Sequence, residues 1–197
     1  MRWWRNRPAP EALFSFFLAI LSVAYPVAVF VALKIVGPAL VAALLAVLLI
    51  IRMLIAVRQG KFGADILPLG LAIVALAVIS TFDVLLALKF YPVILSLGLG
   101  LVFVHSLYRP PNVIERFARA MEPRLNARGV AYTRKVALVW ISFFVVNASI
   151  AAWLAFFASV AWWTLYTGLI AYGLMACLFL GEFAVRQTVK KHHVAEG

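Results

Sequence analysis

Three charged residues stand apart from the rest of this chain's charge. Lys34, Asp83 and Lys89 lie beside long apolar runs, away from the other cations. Two lysines with one acid could bind an anionic, phosphate-bearing headgroup. They could equally be a structural pairing, because a charge next to hydrocarbon is expensive unless it is matched or reaches the interface. Asp83 precedes Lys89 by six residues, which a helix would set on nearly opposite sides. A contact between Asp83 and either lysine therefore needs the chain to unwind there, or a neighbouring hairpin to supply the partner. Chemistry beyond binding is not indicated, since one acid and two lysines do not make an acid–base constellation. There is no paired-carboxylate motif, nucleophile elbow, His-rich metal spacing or phosphate-cradling glycine loop. Cys177 is the only cysteine, so neither an intrachain disulfide nor a cysteine metal cluster is expected. His105, His192 and His193 do not converge on a site. No catalytic residue, metal or cofactor is expected, and the chain is not read as an enzyme.

The elements that would position these residues follow from composition. The chain has 197 residues, of which 66% are hydrophobic, and a mean hydropathy of +1.05. A soluble fold cannot hide that much apolar surface, whereas a bilayer accepts it as an exterior. Sixteen of the eighteen Lys and Arg residues fall in the two tails and in alternate gaps between apolar runs. Cytoplasmic loops retain positive charge, so the pattern predicts six transmembrane helices with both termini in the cytoplasm of a bacterial inner membrane. The net charge of +11 then belongs to interfacial cations facing anionic lipid headgroups. Basic stretches interleaved with aromatics are missing, and no nucleic-acid partner is expected.

The expected architecture is all-α, one polytopic domain over 1–197, with helices at about 12–33, 39–57, 66–86, 93–108, 136–158 and 163–184. Arg2, Arg5 and Arg7 before an apolar stretch imitate a secretory signal. The run continues to Leu33, however, which is spanning length, and it is read as an uncleaved first helix kinked at Pro26. The helices pair as three outward-pointing hairpins with short external turns. Lys34 and Pro38 mark the first turn, and Asp83 to Pro92 the second. This Lys-before-Pro recurrence fits either an internal duplication or ordinary anchoring with turn chemistry.

The longest soluble stretch, Arg109 to Lys135, carries seven basic residues. Within it an amphipathic cytoplasmic helix is expected over 112–122. Asn112 supplies the N-cap and Glu115 the capping-box spacing, with Val113, Ile114, Phe117 and Met121 on one apolar face. Arg116, Arg119 and Arg124 offer a surface for headgroups or for a partner. In the fifth helix, Trp140 and Asn147 share helical spacing with Phe143 and Phe144, and Ala148, Ala151, Ala152 and Ala155 form a small-residue packing face. Asn147 should hydrogen-bond another helix, because an unsatisfied amide in hydrocarbon is costly. Trp162, Trp163 and Tyr166 read as an interfacial aromatic belt. Glu182 is one turn from Arg186, a local salt bridge.

The order of these landmarks resembles the bacterial septation protein A group of small inner-membrane proteins. The resemblance rests on Tyr25-Pro26-Val27 leading to Leu33-Lys34-Ile35, on Leu88-Lys89-Phe90, on the Pro111-to-Phe117 segment, and on Trp140-Ile-Ser-Phe-Phe-Val-Val-Asn147. Within the group the chain is most similar to an uncharacterised branch found beside fatty-acid or aryl-polyene biosynthesis genes. The resemblance implies a non-enzymatic role in cell-envelope integrity, septation or lipid biogenesis, exerted through other inner-membrane or lipid-synthesis proteins. The longer basic segment after the fourth helix and the basic C-terminus depart from that group and suit a different cytosolic partner. The alternative is a small transporter or lipid-carrier protein with an outward-facing anionic-ligand site at Lys34, Lys89 and Asp83. Homo-oligomerisation is left open.

Overall fold

A computed structural model describes residues 25–58, 66–121 and 125–194. They are almost entirely helical, with no strand among them. That is what an apolar chain with nothing else to satisfy its backbone should do, since helices bond every amide internally. The described part of α1 is Tyr25–Ile35, followed by α2 (Pro38–Arg58), α3 (Ile66–Ser80), α4 (Val84–Tyr108) and α5 (Val113–Met121). Then come α6 (Ala127–Phe157), α7 (Val160–Leu165), a π-helical turn at Tyr166–Ile170, and α8 (Ala171–Val194).

Four helical stretches are long and apolar enough to cross a membrane: Pro38–Arg58, Val84–Tyr108, Ala127–Phe157 and Val160–Val185. Four of the expected six spans are thus present at full length among the described residues. Residues 12–24 of the expected first helix lie outside the described residues, as does Arg124. The third helix is shorter than expected, 15 residues or about 22 Å, against a hydrocarbon thickness of about 30 Å.

The reason for that shortening moves a predicted turn. Asp83 is the N-cap of α4, its side chain accepting from the Leu86 amide at 3.0 Å. An aspartate in extended conformation satisfies an otherwise orphaned first-turn amide, so α3 stops at Ser80 and the turn is Thr81–Asp83. Lys89 and Pro92, expected in a turn, are inside α4. At its other end α6 starts at Ala127 instead of 136, because Asn126 caps it by accepting from Gly129 N at 2.8 Å. Much of the basic connector is thus helix.

Short turns join α1 to α2, α3 to α4 and α6 to α7. Gly37 makes the first, with φ of +80°, a left-handed conformation that side chains resist. Ser159 caps α7 at the third. The core is centred on α4, which packs along α6 through Val93 against Ala148 and Ala151. On its other side Leu88 and Tyr91 meet Tyr25, Val41, Leu45 and Leu76. The small-residue face expected on α6 is the one buried: Ala148, Ala151 and Ala155 are all at most 3% exposed. Where the π turn meets α1, a Cβ on Gly168 would stand 3.3 Å from Val27 and 3.5 Å from Pro26. Glycine is what lets the two backbones approach there.

Candidate functional site

The three outlying charges have different direct partners. Lys34 is exposed, with its ammonium 4.4 Å above the Phe30 ring. Asp83 caps α4, and no ion pair joins it to either lysine among the described residues. Lys89 is buried, 7% exposed, and its Nζ donates to the Ala155 carbonyl at 3.2 Å and the Ala158 carbonyl at 2.8 Å. Those carbonyls belong to the last turn and C-cap of α6, where helix dipoles converge and intrahelical amide donors run out. Lys89 is therefore an inter-helix C-cap. Its charge faces the negative end of α6, with Asp83 near enough to act on it electrostatically, while no hydrogen bond or ion pair joins Lys34, Asp83 and Lys89 to one another among the described residues.

Pro92 explains the rest of this corner. A proline in a helix interior has no N–H for the carbonyl four residues back and tends to loosen the next bond as well. The carbonyl four residues back is that of Leu88, and the Tyr25 hydroxyl donates to it at 3.1 Å. The next carbonyl is that of Lys89, and the Trp163 indole Nε1 donates to it at 3.1 Å. Trp163 is fully buried, and Tyr25 stacks at a tilt on Tyr91 with centroids 4.4 Å apart. So α1, α4, α6 and α7 meet at one polar knot, and each donor in it answers a backbone acceptor. Trp163 and Tyr166 are consequently core residues, and only Trp162 of the expected belt is exposed, at 65%. Tyr25 and Trp163 are not marked as donors by any local pattern in the sequence. An interior proline flanked by apolar residues is the signal that such donors are needed.

Deeper along the bundle, the half-buried Asn147 amide is bonded on both sides. Its Nδ2 donates to Ser96 Oγ at 3.0 Å, and its Oδ1 accepts from the Tyr166 hydroxyl at 3.1 Å. Ser96 Oγ donates in turn to the Phe144 carbonyl at 3.3 Å. One side chain thereby ties α6 to α4 and to the π turn. Trp140 lies in an aromatic cluster with Phe103, Phe143 and Phe144, centroids 5.4 to 6.3 Å apart. Trp140 and Asn147 thus both make contacts from α6 to α4.

The basic end carries the most distinctive surface. Asn112 caps α5, its Oδ1 accepting from Glu115 N at 2.9 Å, while its Nδ2 donates to Thr133 Oγ1 of α6 at 3.2 Å. Val113 N donates to Ser106 Oγ of α4 at 3.2 Å. Asn112, Glu115 and Ala118 are buried at 5%, 5% and 2% exposure, so α5 is fastened to the bundle along this face. The expected apolar face is seated only in part: Val113 and Ile114 are half-buried, whereas Phe117 is 68% exposed. Glu115 does not close the capping box either. It holds Arg119 four residues on, with Oε1 2.8 Å from Nε and 2.7 Å from Nη2. Arg116 Nε donates to the Pro111 carbonyl at 3.0 Å. Both arginines are thus positioned on a helix fixed to the bundle, which also displays an exposed Phe117. Ser106, Thr133 and Ala118 were not singled out from sequence, because a polar anchor at an element's end only reads as one once its partner helix is known.

Among the described residues no group of three or more His, Cys, Asp or Glu side chains could hold a metal ion. The Glu182–Arg186 pairing falls on an Arg186 side chain outside the described residues. Set against known proteins, the chain matches no family model, no curated protein and no solved structure.

Proposed function

We propose that this chain is a multi-pass inner-membrane protein that works without chemistry of its own, holding a protein partner of envelope, septation or lipid biogenesis at its basic end. The observation that carries this is the α5 platform. Polar bonds from Asn112 and Val113, with Glu115 and Ala118 buried, fix the helix to α4 and α6. The helix still presents an exposed aromatic, Phe117, and two oriented arginines. Aromatic and arginine side chains on a rigid support are the residue types that dominate protein interfaces, and pre-ordering them lowers the entropy lost on binding. The cytoplasmic placement of this end follows from the distribution of Lys and Arg along the chain. The resemblance to the septation protein A group supports the choice of partner class.

Charge reversal at Arg116 and Arg119 tests the reading directly. A photo-crosslinker in place of Phe117 should yield one discrete adduct in cells, and Arg116→Glu/Arg119→Glu should reduce it at least tenfold without loss of membrane-inserted protein. An adduct unaffected by the reversal would refute a docking role for this platform.

A further inference from the structure

The outward face of α6 has a graded character from end to end. One side of α6 is buried against α4 and the core through Ala137, Phe144, Ala148, Ala151 and Ala155. The residues on the opposite side are exposed. At the basic end these are Arg128, Arg134 and Lys135. All three lie on the helix itself, and no hydrogen bond or ion pair engages them among the described residues. Below them the same face becomes apolar, with Leu138, Val145 and Val146 each more than half exposed. It ends in aromatics, Trp153 at 60% and Phe157 at 74% exposure.

The spacing matches a bilayer leaflet pair. Lys135 and Trp153 are 18 residues apart, about 27 Å along a helix, against a hydrocarbon core of about 30 Å. The cations therefore sit at one interface and the aromatic residues at the other, where indole and phenyl rings collect. Unpaired cations directly above a hydrocarbon-facing column want an anion that carries its own hydrocarbon. We infer that the α6 face is a site for an anionic phospholipid, its phosphate held by Arg134 and Lys135 with Arg128 beyond, and its acyl chains lying along Leu138, Val145 and Val146. The site depends on α6 spanning the membrane. It is independent of any protein docked on α5.

The full chain in detergent, titrated with phosphatidylglycerol or phosphatidylcholine of identical acyl chains and read by native mass spectrometry, tests this. Each basic side chain at an anionic surface contributes about a factor of five. Phosphatidylglycerol should accordingly bind at least about fivefold more tightly than phosphatidylcholine. Arg134→Gln/Lys135→Gln should bring the two lipids close to parity, whereas Arg134→Lys, which keeps the charge, should retain the preference. Circular dichroism checks that the double variant remains helical, and Lys135→Gln alone is read in its place if it does not. Equal binding of the two lipids by the unmodified chain overturns the inference. So does a preference that survives loss of both cations, which would place the anion on another basic segment.

Discussion

Lys34 with Pro38 and Lys89 with Pro92 look alike in sequence and do opposite things. Pro38 is the first residue of α2, where a missing N–H leaves no carbonyl unmatched and the fixed φ suits the helix. Lys34 beside it is exposed and rests on Phe30. Pro92 is inside α4, so its missing N–H must be answered from elsewhere, by Tyr25, and the neighbouring carbonyl is taken by Trp163. Lys89 turns into the bundle to cap another helix. The same pair of residue types anchors a turn in one place and joins four helices in the other. Position relative to the helix start decides which, and the unlike environments give an internal duplication no support.

The sharpest way to break this contrast is Lys89→Met. Hydrogen bonds made by charged donors contribute about 1.5–3 kcal/mol, and removing Nζ leaves the α6 carbonyls unpaired in an apolar setting. A loss of about 2–3 kcal/mol is expected in reversible unfolding from mixed micelles, and a loss below about 0.5 kcal/mol would remove the capping role. Next in size is Tyr25→Phe, which deletes only the hydroxyl bonded to Leu88 and should cost about 1 kcal/mol. Its cause can be isolated by adding Pro92→Ala, which restores an N–H for the same carbonyl. The tyrosine substitution should then become nearly neutral, and simple additivity of the two changes would argue that Pro92 does not create the vacancy. The smallest effect belongs to Lys34→Met, expected to change stability by about 0.5 kcal/mol or less because its partner ring is local and the site is open.

Local signals in the sequence were read correctly where the interaction was itself local. Asn112 as an N-cap is one such case, because a cap needs only the amide three residues ahead. Asn147 was legible as a residue needing a partner, although Ser96 and Tyr166 were not, being 51 and 19 residues away. The α3–α4 boundary was misplaced because both flanks are apolar all round, leaving no change in periodicity to mark the break. Asp83 was the only sign of it. Phe117 was misassigned for a related reason. An amphipathic pattern identifies two faces, but near a membrane interface it does not say which one seats on protein. Here Asn112 and Glu115 are buried against the bundle, and Phe117 is left outside.

The sequence alone was enough to establish apolar helices of membrane-crossing length, the Asn112 cap of α5 and a cationic end. These follow from backbone satisfaction in hydrocarbon and from contacts within a few residues. Only the tertiary structure decided that Lys89 is bonded and Lys34 free of the core, that Trp163 belongs to the interior, and that α5 displays Phe117. Each of those outcomes depends on partners far along the chain, 66 to 74 residues away in the case of Lys89 and Trp163. No periodicity in the sequence encodes which distant carbonyl will lack a donor.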